Sequence, residues 1–355
     1  MKTDAARQRT QIAEQRRKVD FDTYDVTVDE LIRRVAKSRI DVAPVYQRQF
    51  RWDAARQSCL VESLLLGIPV PPLFMATNLN PGRETQWEVV DGLQRLLTMV
   101  NFAGDMPVRE RVGLLGDSLR LADLKKLDSL NQQSFAALPA DIQSAFEDRP
   151  MKVIVLNDKS DLAVRYDLFE RLNTGGVVLT PQEVRECVYR GLFMDILSEL
   201  SDREVFKTVV VLPQSSWRDG TPQEYVLRFF AFLERYQKFE HSVKDFLNDF
   251  TKDATSEPKV AEYKVAFDKT FAFLAASFPQ GVKTRKGMTP VNLFEAISVG
   301  AALALREKST LRPRLNPDWV FSDELRAFTT GATNSKSRVT GRIEYCRDKF
   351  LSRNV

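Results

Sequence analysis

Histidine is almost missing from this chain: His241 is the single one among 355 residues. A Cys/His zinc site, a Ser-His-Asp triad and an HNH-type nuclease centre each need histidine among their reacting groups, so the count argues against all three. His241 falls between an aromatic-rich helical stretch and the segment FLNDF, and reads as a surface or packing residue. Cysteine is scarce too. Cys59, Cys187 and Cys346 are scattered and odd in number, which predicts no disulfide framework and a reducing, cytoplasmic setting. No run of about 18 apolar residues occurs, so neither a spanning helix nor a membrane partner is expected. The opening MKTDAARQRTQIAEQRRKVD is charged and lacks an apolar stretch, so no signal peptide is expected.

What is present is an ordinary globular composition, 43% hydrophobic and 28% charged, on a chain long enough for two domains. Charge is unevenly spread. Residues 281–355 hold 14 Lys/Arg against 7 Asp/Glu, although the whole chain carries only +4. A basic final quarter fits a polyanion such as DNA, and it also fits a solvated basic face.

Residues 1–24 read as a charged N-terminal arm, either a poorly packed helix or disordered. TVDELIRRVAKSRI (27–40) has helical spacing at Leu31, Ile32, Val35 and Ile40. Asp53 is placed to cap a helix over 54–66, with Leu60, Val61, Leu64 and Leu65 inward and Gly67 as its stop. PLFMATN (72–78) and QWEVVD (86–91) read as strands joined by the turn chemistry of NPGRET, and a helix follows to about 103. Residues 105–150 read as an insertion of short helices, 151–157 as a buried strand and 159–172 as a helix. Thr180-Pro181-Gln182-Glu183 is a capping box with proline at the first helical position. Beyond 200 the pattern is helical to the end. The fold class is therefore α+β: an α/β domain over 25–200, then an all-α domain over 201–355.

Three stretches carry candidate chemistry. In VVDGLQR a strand turns directly into a helix, whose first N–H groups lack helical partners and whose dipole favours anions. Gly92 allows close backbone approach, Arg95 offers a guanidinium to phosphate, Gln94 can place a water or base edge, and Asp91 can hold a metal or a ribose hydroxyl. The plain structural alternative is that Asp91 caps the helix and Arg95 is a surface residue. Tyr46-Gln47-Arg48-Gln49-Phe50-Arg51-Trp52 interleaves two arginines with three aromatics, a pattern suited to nucleotides or nucleic-acid strands. Its alternative is a core segment with solvated arginines. Phe169-Glu170-Arg171-Leu172-Asn173-Thr174-Gly175-Gly176 ends a helix in a turn able to close over an anion, or is a simple helix C-cap.

Taken in order, YQRQFRW, LLLGIPVPPLF, VVDGLQR and FERLNTGGVVLTPQEVR resemble the N-terminal domain of GmrSD-type restriction endonucleases over about 25–200, and SRVTGRIE near the end is similar too. The resemblance implies a ParB/sulfiredoxin-like fold and a nucleotide-dependent component of a bacterial anti-phage system. The family signature Asp-Gly-Gln-Gln-Arg, associated with nucleotide binding and hydrolysis, stands here as Asp91-Gly92-Leu93-Gln94-Arg95. Leu93 replaces the first glutamine, which implies weakened hydrolysis with binding retained. The HNH domain of many members has no counterpart here, which implies a stand-alone form served by a separately encoded nuclease.

Carried onto this sequence, the resemblance implies Asp91, Gln94 and Arg95 as hydrolytic residues. Tyr46, Gln47, Arg48, Arg51, Gly92, Asn173, Thr174 and Gly175 would hold an NTP (ATP, GTP or CTP) with Mg²⁺, and no protein metal centre is expected. The expected function is a nucleotide-binding regulatory or sensor subunit of a restriction system. Two alternatives stay open: a DNA-binding module acting through 281–355 without nucleotide chemistry, and an antitoxin-like protein restraining a partner nuclease.

Overall fold

The computed structural model describes residues 2–16, 20–42, 52–78, 86–157, 166–168, 171, 180–189, 191–284, 287–331 and 333–352. The chain divides into two compact units, Met1–Val178 and Leu179–Val355. The whole is a mixed α+β protein. Among the described residues no helix is long and apolar enough to cross a membrane.

The first unit is built on one five-stranded sheet. Its strands are β1 (Phe21–Thr27), β2 (Ile40–Asp41), β3 (Leu73–Asn78), β4 (Gln86–Asp91) and β5 (Pro150–Leu156), in the order β1-β5-β3-β4-β2. β1 runs antiparallel to β5, β5 parallel to β3, β3 antiparallel to β4, and β4 parallel to β2. The described residues place these helices with the sheet: α1 (Lys2–Arg16), α2 (Val28–Ala36), α3 (Ala54–Leu66), α4 (Leu93–Ala103), α5 (Met106–Arg111) and α6 (Ala140–Glu147). Leu31, Val61, Leu64, Met75, Leu96, Val100, Phe146 and Val153 meet in its core.

Local signals explain most of this. The Asp53 carboxylate accepts the N–H of Arg56 at 2.8 Å, and Gly67 closes α3 in the left-handed region at φ 72°. Gly67 is there because an L side chain would be strained in that conformation. Two expectations are corrected. The helix expected over 27–40 stops at Ala36, because Ser38 takes φ 55° and the chain then enters β2 at Ile40. Residues 21–24, assigned to the arm, belong to β1. An edge strand buries little, so FDTYDVT shows no alternation: only Val26 is buried, and pairing with β5 supplies the rest. The helix expected over 159–172 lies mostly outside the described residues.

The second unit is helical. It contains α7 (Pro181–Val188), α8 (Leu192–Ser201), α9 (Glu204–Val209), α10 (Thr221–Arg235), α11 (Val243–Ser256), α12 (Val260–Ser277), α13 (Val291–Glu307), α14 (Asp323–Thr329) and α15 (Lys336–Leu351). The capping box is formed: the Thr180 hydroxyl accepts the Glu183 N–H at 3.2 Å, and the Glu183 carboxylate accepts the Thr180 N–H at 2.7 Å. The sequence reading places the domain boundary at 200, whereas the compact units meet at 178/179. The physical reason is α8. Its Phe193 ring lies 5.9 Å from Phe250 and 5.5 Å from Tyr263, inside the aromatic core of the helical unit.

Charge is buried in this unit too. Arg185 pairs with Glu224 at 3.1 Å, Arg228 with Glu224 at 2.7 Å and with Glu295 at 2.6 Å, and Arg342 with Glu295. Arg342 comes from SRVTGRIE, and both it and Glu295 are only 1% exposed. The alternation of sign along five side chains lets each buried charge meet an opposite one, the condition for tolerating charge out of water. The adjacent Gly341 leaves room for Phe328, whose Cε1 would lie 2.4 Å from an added Cβ. The segment is thus a packing and charge-pairing element. His241 is exposed, as its sequence context suggests.

Candidate functional site at the start of α4

The strand–helix junction at 91–93 lies on an interior strand beside the hairpin partner β3. Opposite Met75 stands Val89, and opposite Phe74 stands Asp91, so Val90 is an extra residue in β4. Such a bulge breaks the two-residue alternation and re-aims the side chain that follows. Glu88, Val89 and Val90 are all buried, and Asp91 emerges with its side chain 40% exposed.

Gly92 then takes φ 94° and serves as the N-cap of α4, with no side-chain cap bond. A Cβ here would sit 2.5 Å from Leu73 Cδ2. Two separate demands therefore select glycine: a left-handed backbone and a close approach to Leu73. The neighbour that an added Cβ would meet is thus a core side chain.

Asp91 does not cap the helix. Its Oδ2 accepts from Arg95 Nη2 at 2.6 Å, while Arg95 Nη1 donates to the Pro71 carbonyl at 2.7 Å. Arg95 is only 11% exposed, so it is not the solvated surface residue of the plain alternative. One guanidinium thereby ties together the segment before β3, the end of β4 and the first turn of α4. Gln94 Oε1 accepts the backbone N–H of Trp52 at 3.2 Å. Leu93, in the place of the family glutamine, is 8% exposed and belongs to the hydrophobic core.

Behind these residues runs a polar chain that sequence reasoning missed. Gln57 Nε2 donates to the Trp52 carbonyl at 2.9 Å, and Asn101 Nδ2 donates to Gln57 Oε1 at 2.8 Å. Arg109 Nε reaches Asn101 Oδ1 at 3.4 Å, and Arg109 Nη2 donates to the Gly116 carbonyl at 2.8 Å. Gln57 was detectable: it occupies the inner stripe of α3 one turn before Leu60 and Val61, and is 5% exposed. Asn101 gave no such signal, because its partner Gln57 is 44 residues away.

Trp52 is the described end of the Tyr46–Trp52 stretch, and Gln94 and Gln57 hold both of its backbone groups. Tyr46, Gln47, Arg48 and Arg51 lie outside the described residues, and so do Asn173, Thr174 and Gly175. Among the described residues no cluster of three metal-ligating side chains exists. A Mg²⁺ ion commonly takes one or two carboxylates together with phosphate oxygens and water. Asp91, which is paired with Arg95, is the carboxylate that would hold such an ion, and the ion would supply charge neutralisation.

The geometry defines a class first: an α+β domain with a glycine-turned strand–helix junction, stiffened by a half-buried arginine and a half-buried amide. Residues 28–190 match the family described as GmrSD restriction endonuclease, N-terminal domain. Over these residues the chain is similar to that domain. The matched stretch opens at the first residue of α2 and closes just after α7. No curated protein and no solved structure matches the chain.

Proposed function

We propose that the chain is a nucleotide-binding component of a restriction or anti-phage system, with the phosphates received at the start of α4. The observation that carries this reading is the convergence at Trp52. The Asp91–Arg95 signature is tied by the Gln94 amide to Trp52, the residue that closes the arginine- and aromatic-rich stretch in the sequence. An uncapped helix start supplies backbone donors and a favourable dipole, and Arg95 supplies positive charge one turn in. A ParB/sulfiredoxin-like arrangement accords with the mixed sheet and with the family.

The residues suit binding better than hydrolysis. Gln94 holds Trp52, and Leu93 is packed in the core, so the described signature leaves no free amide at position 93 to order an attacking water. Phosphoryl-transfer sites work mainly by positioning and charge stabilisation, and here the positioning half is what the residues support. Cutting of DNA is assigned to a nuclease outside residues 1–355.

Titration of ATP, GTP and CTP against wild type and Arg95→Ala tests the reading, with circular dichroism to confirm that both proteins are folded. Loss of affinity for at least one nucleotide in the variant is expected. Equal affinity of the two folded proteins for all three nucleotides overturns it.

A further inference from the structure

The helical unit contains a cleft of about 450 Å³ between the end of α13, the loop that follows it, and the end of α15. Lys308, Arg312, Arg314 and Lys349 line it, together with Trp319 and Phe350. None of the described lining residues is acidic. Elsewhere in the unit Arg185, Arg203, Arg228, Arg235 and Arg342 are each matched to a carboxylate. Lys349 lies 5.2 Å from the Tyr345 ring centroid, a cation–π contact.

The aromatic wall is rigid. Trp319 meets Phe350 edge-to-face with centroids 5.0 Å apart, and Phe350 meets the buried Phe273 at 5.6 Å. The cleft volume falls within the range of sites that take a small organic group. Two helices end beside it, at Lys308 and Ser352. Cations near helix C-termini offset the dipole there, which accounts for Lys349 in the last turn and Lys308 at the cap. Arg312 and Arg314 stand beyond any helix end and have no such reason.

We propose that this cleft binds single-stranded nucleic acid, with phosphates held by Arg312, Arg314, Lys308 and Lys349 and a base lodged against Trp319. Cations beside an aromatic wall, with no acid lining the same cleft, are the combination that grips a strand without reading its sequence: charge follows the backbone and the ring stacks a base. An acidic peptide would be drawn by the same charges but would gain less from an indole wall. The site is separate from the α4 junction and does not depend on nucleotide binding there.

The test is fluorescence anisotropy of a labelled oligothymidylate with the full chain across a salt series. The variants are Arg312→Ala/Arg314→Ala, Trp319→Leu and a control, Arg326→Ala/Lys336→Ala, which removes equal charge from exposed residues of the same basic region. The cleft double variant should bind at least about tenfold more weakly. Its slope of log K against log salt should be shallower by about 1.4, the value for two fewer phosphates neutralised on a single strand. The control should change less than about twofold. Trp319→Leu should lose about fivefold or more for the strand. Equal losses in the two double variants mean diffuse attraction and overturn the proposal. So does tighter binding of polyglutamate than of the oligonucleotide, or a preference for duplex that ignores Trp319.

Discussion

The side-chain oxygen of Gln94 accepts the backbone N–H of Trp52 at 3.2 Å, across 42 residues of chain. This bond makes Gln94 a positioning residue. It fixes the end of the Tyr46–Trp52 stretch against the first turn of α4, with Gln57 gripping the carbonyl side of Trp52. Gln94→Leu should leave the Trp52 N–H unpaired and cost about 1–3 kcal/mol. Amide hydrogen exchange at Trp52 should accelerate, whereas exchange within β5 should not. Unchanged protection at Trp52 would show that the bond does not hold the stretch.

Gly92 answers to both backbone and packing. Gly92→Ala combines a left-handed alanine, costing about 1–3 kcal/mol, with a Cβ driven into Leu73. A clear drop in the urea midpoint is expected, and a drop no larger than that of an exposed control such as Gly113→Ala would contradict the geometry. Gly113 is also at positive φ, but its added Cβ meets nothing within 4 Å, so the difference isolates the Leu73 contact.

Leu93→Gln restores the family signature in letters and should still fail to create an efficient hydrolase. The side chain at 93 is 8% exposed and packed in the core, so a buried amide without a partner should destabilise by about 1–3 kcal/mol. Phosphate release and thermal unfolding, measured together, check both halves. A stable variant with raised hydrolysis would mean that position 93 faces the nucleotide.

In the helical unit Glu295 holds two arginines, Arg228 and Arg342. Glu295→Leu should destabilise by about 3–5 kcal/mol, because buried cations lose their partner. Arg342→Met should cost less, since Glu295 keeps Arg228. Equal denaturant midpoints for the two variants would contradict the shared pairing.

Glu224 provides a pH signature. Burial pushes its carboxyl up, but Arg228 and Arg185 outweigh that and leave it below the usual carboxylate range. A group depressed in the folded state stabilises above its unfolded value of about 4.3, and the contribution is lost as pH falls through the folded value. The stability gap between wild type and Glu224→Gln should therefore be full at pH 6 and narrow as pH drops below about 4. A gap that stays constant down to pH 2.5 would exclude the linkage.

Much of the fold was written locally. The Asp53 cap, the Gly67 stop and the Thr180 capping box depend on neighbours within four residues, and each stands where its residues place it. The Asp91-Gly92-x-Gln94-Arg95 signature was legible for the same reason, as was the likeness to the family. The tertiary structure decided the rest. β1 exists because β5 lies beside it, not because FDTYDVT alternates. The bulge at Val90 that turns Asp91 outward is set by β3. The roles of Gln94, Gln57 and Asn101 depend on hydrogen bonds between groups more than forty residues apart. Sequence periodicity records which face of an element is apolar. It holds no record of which distant partner a polar group will find, because that partner is selected only when the elements pack.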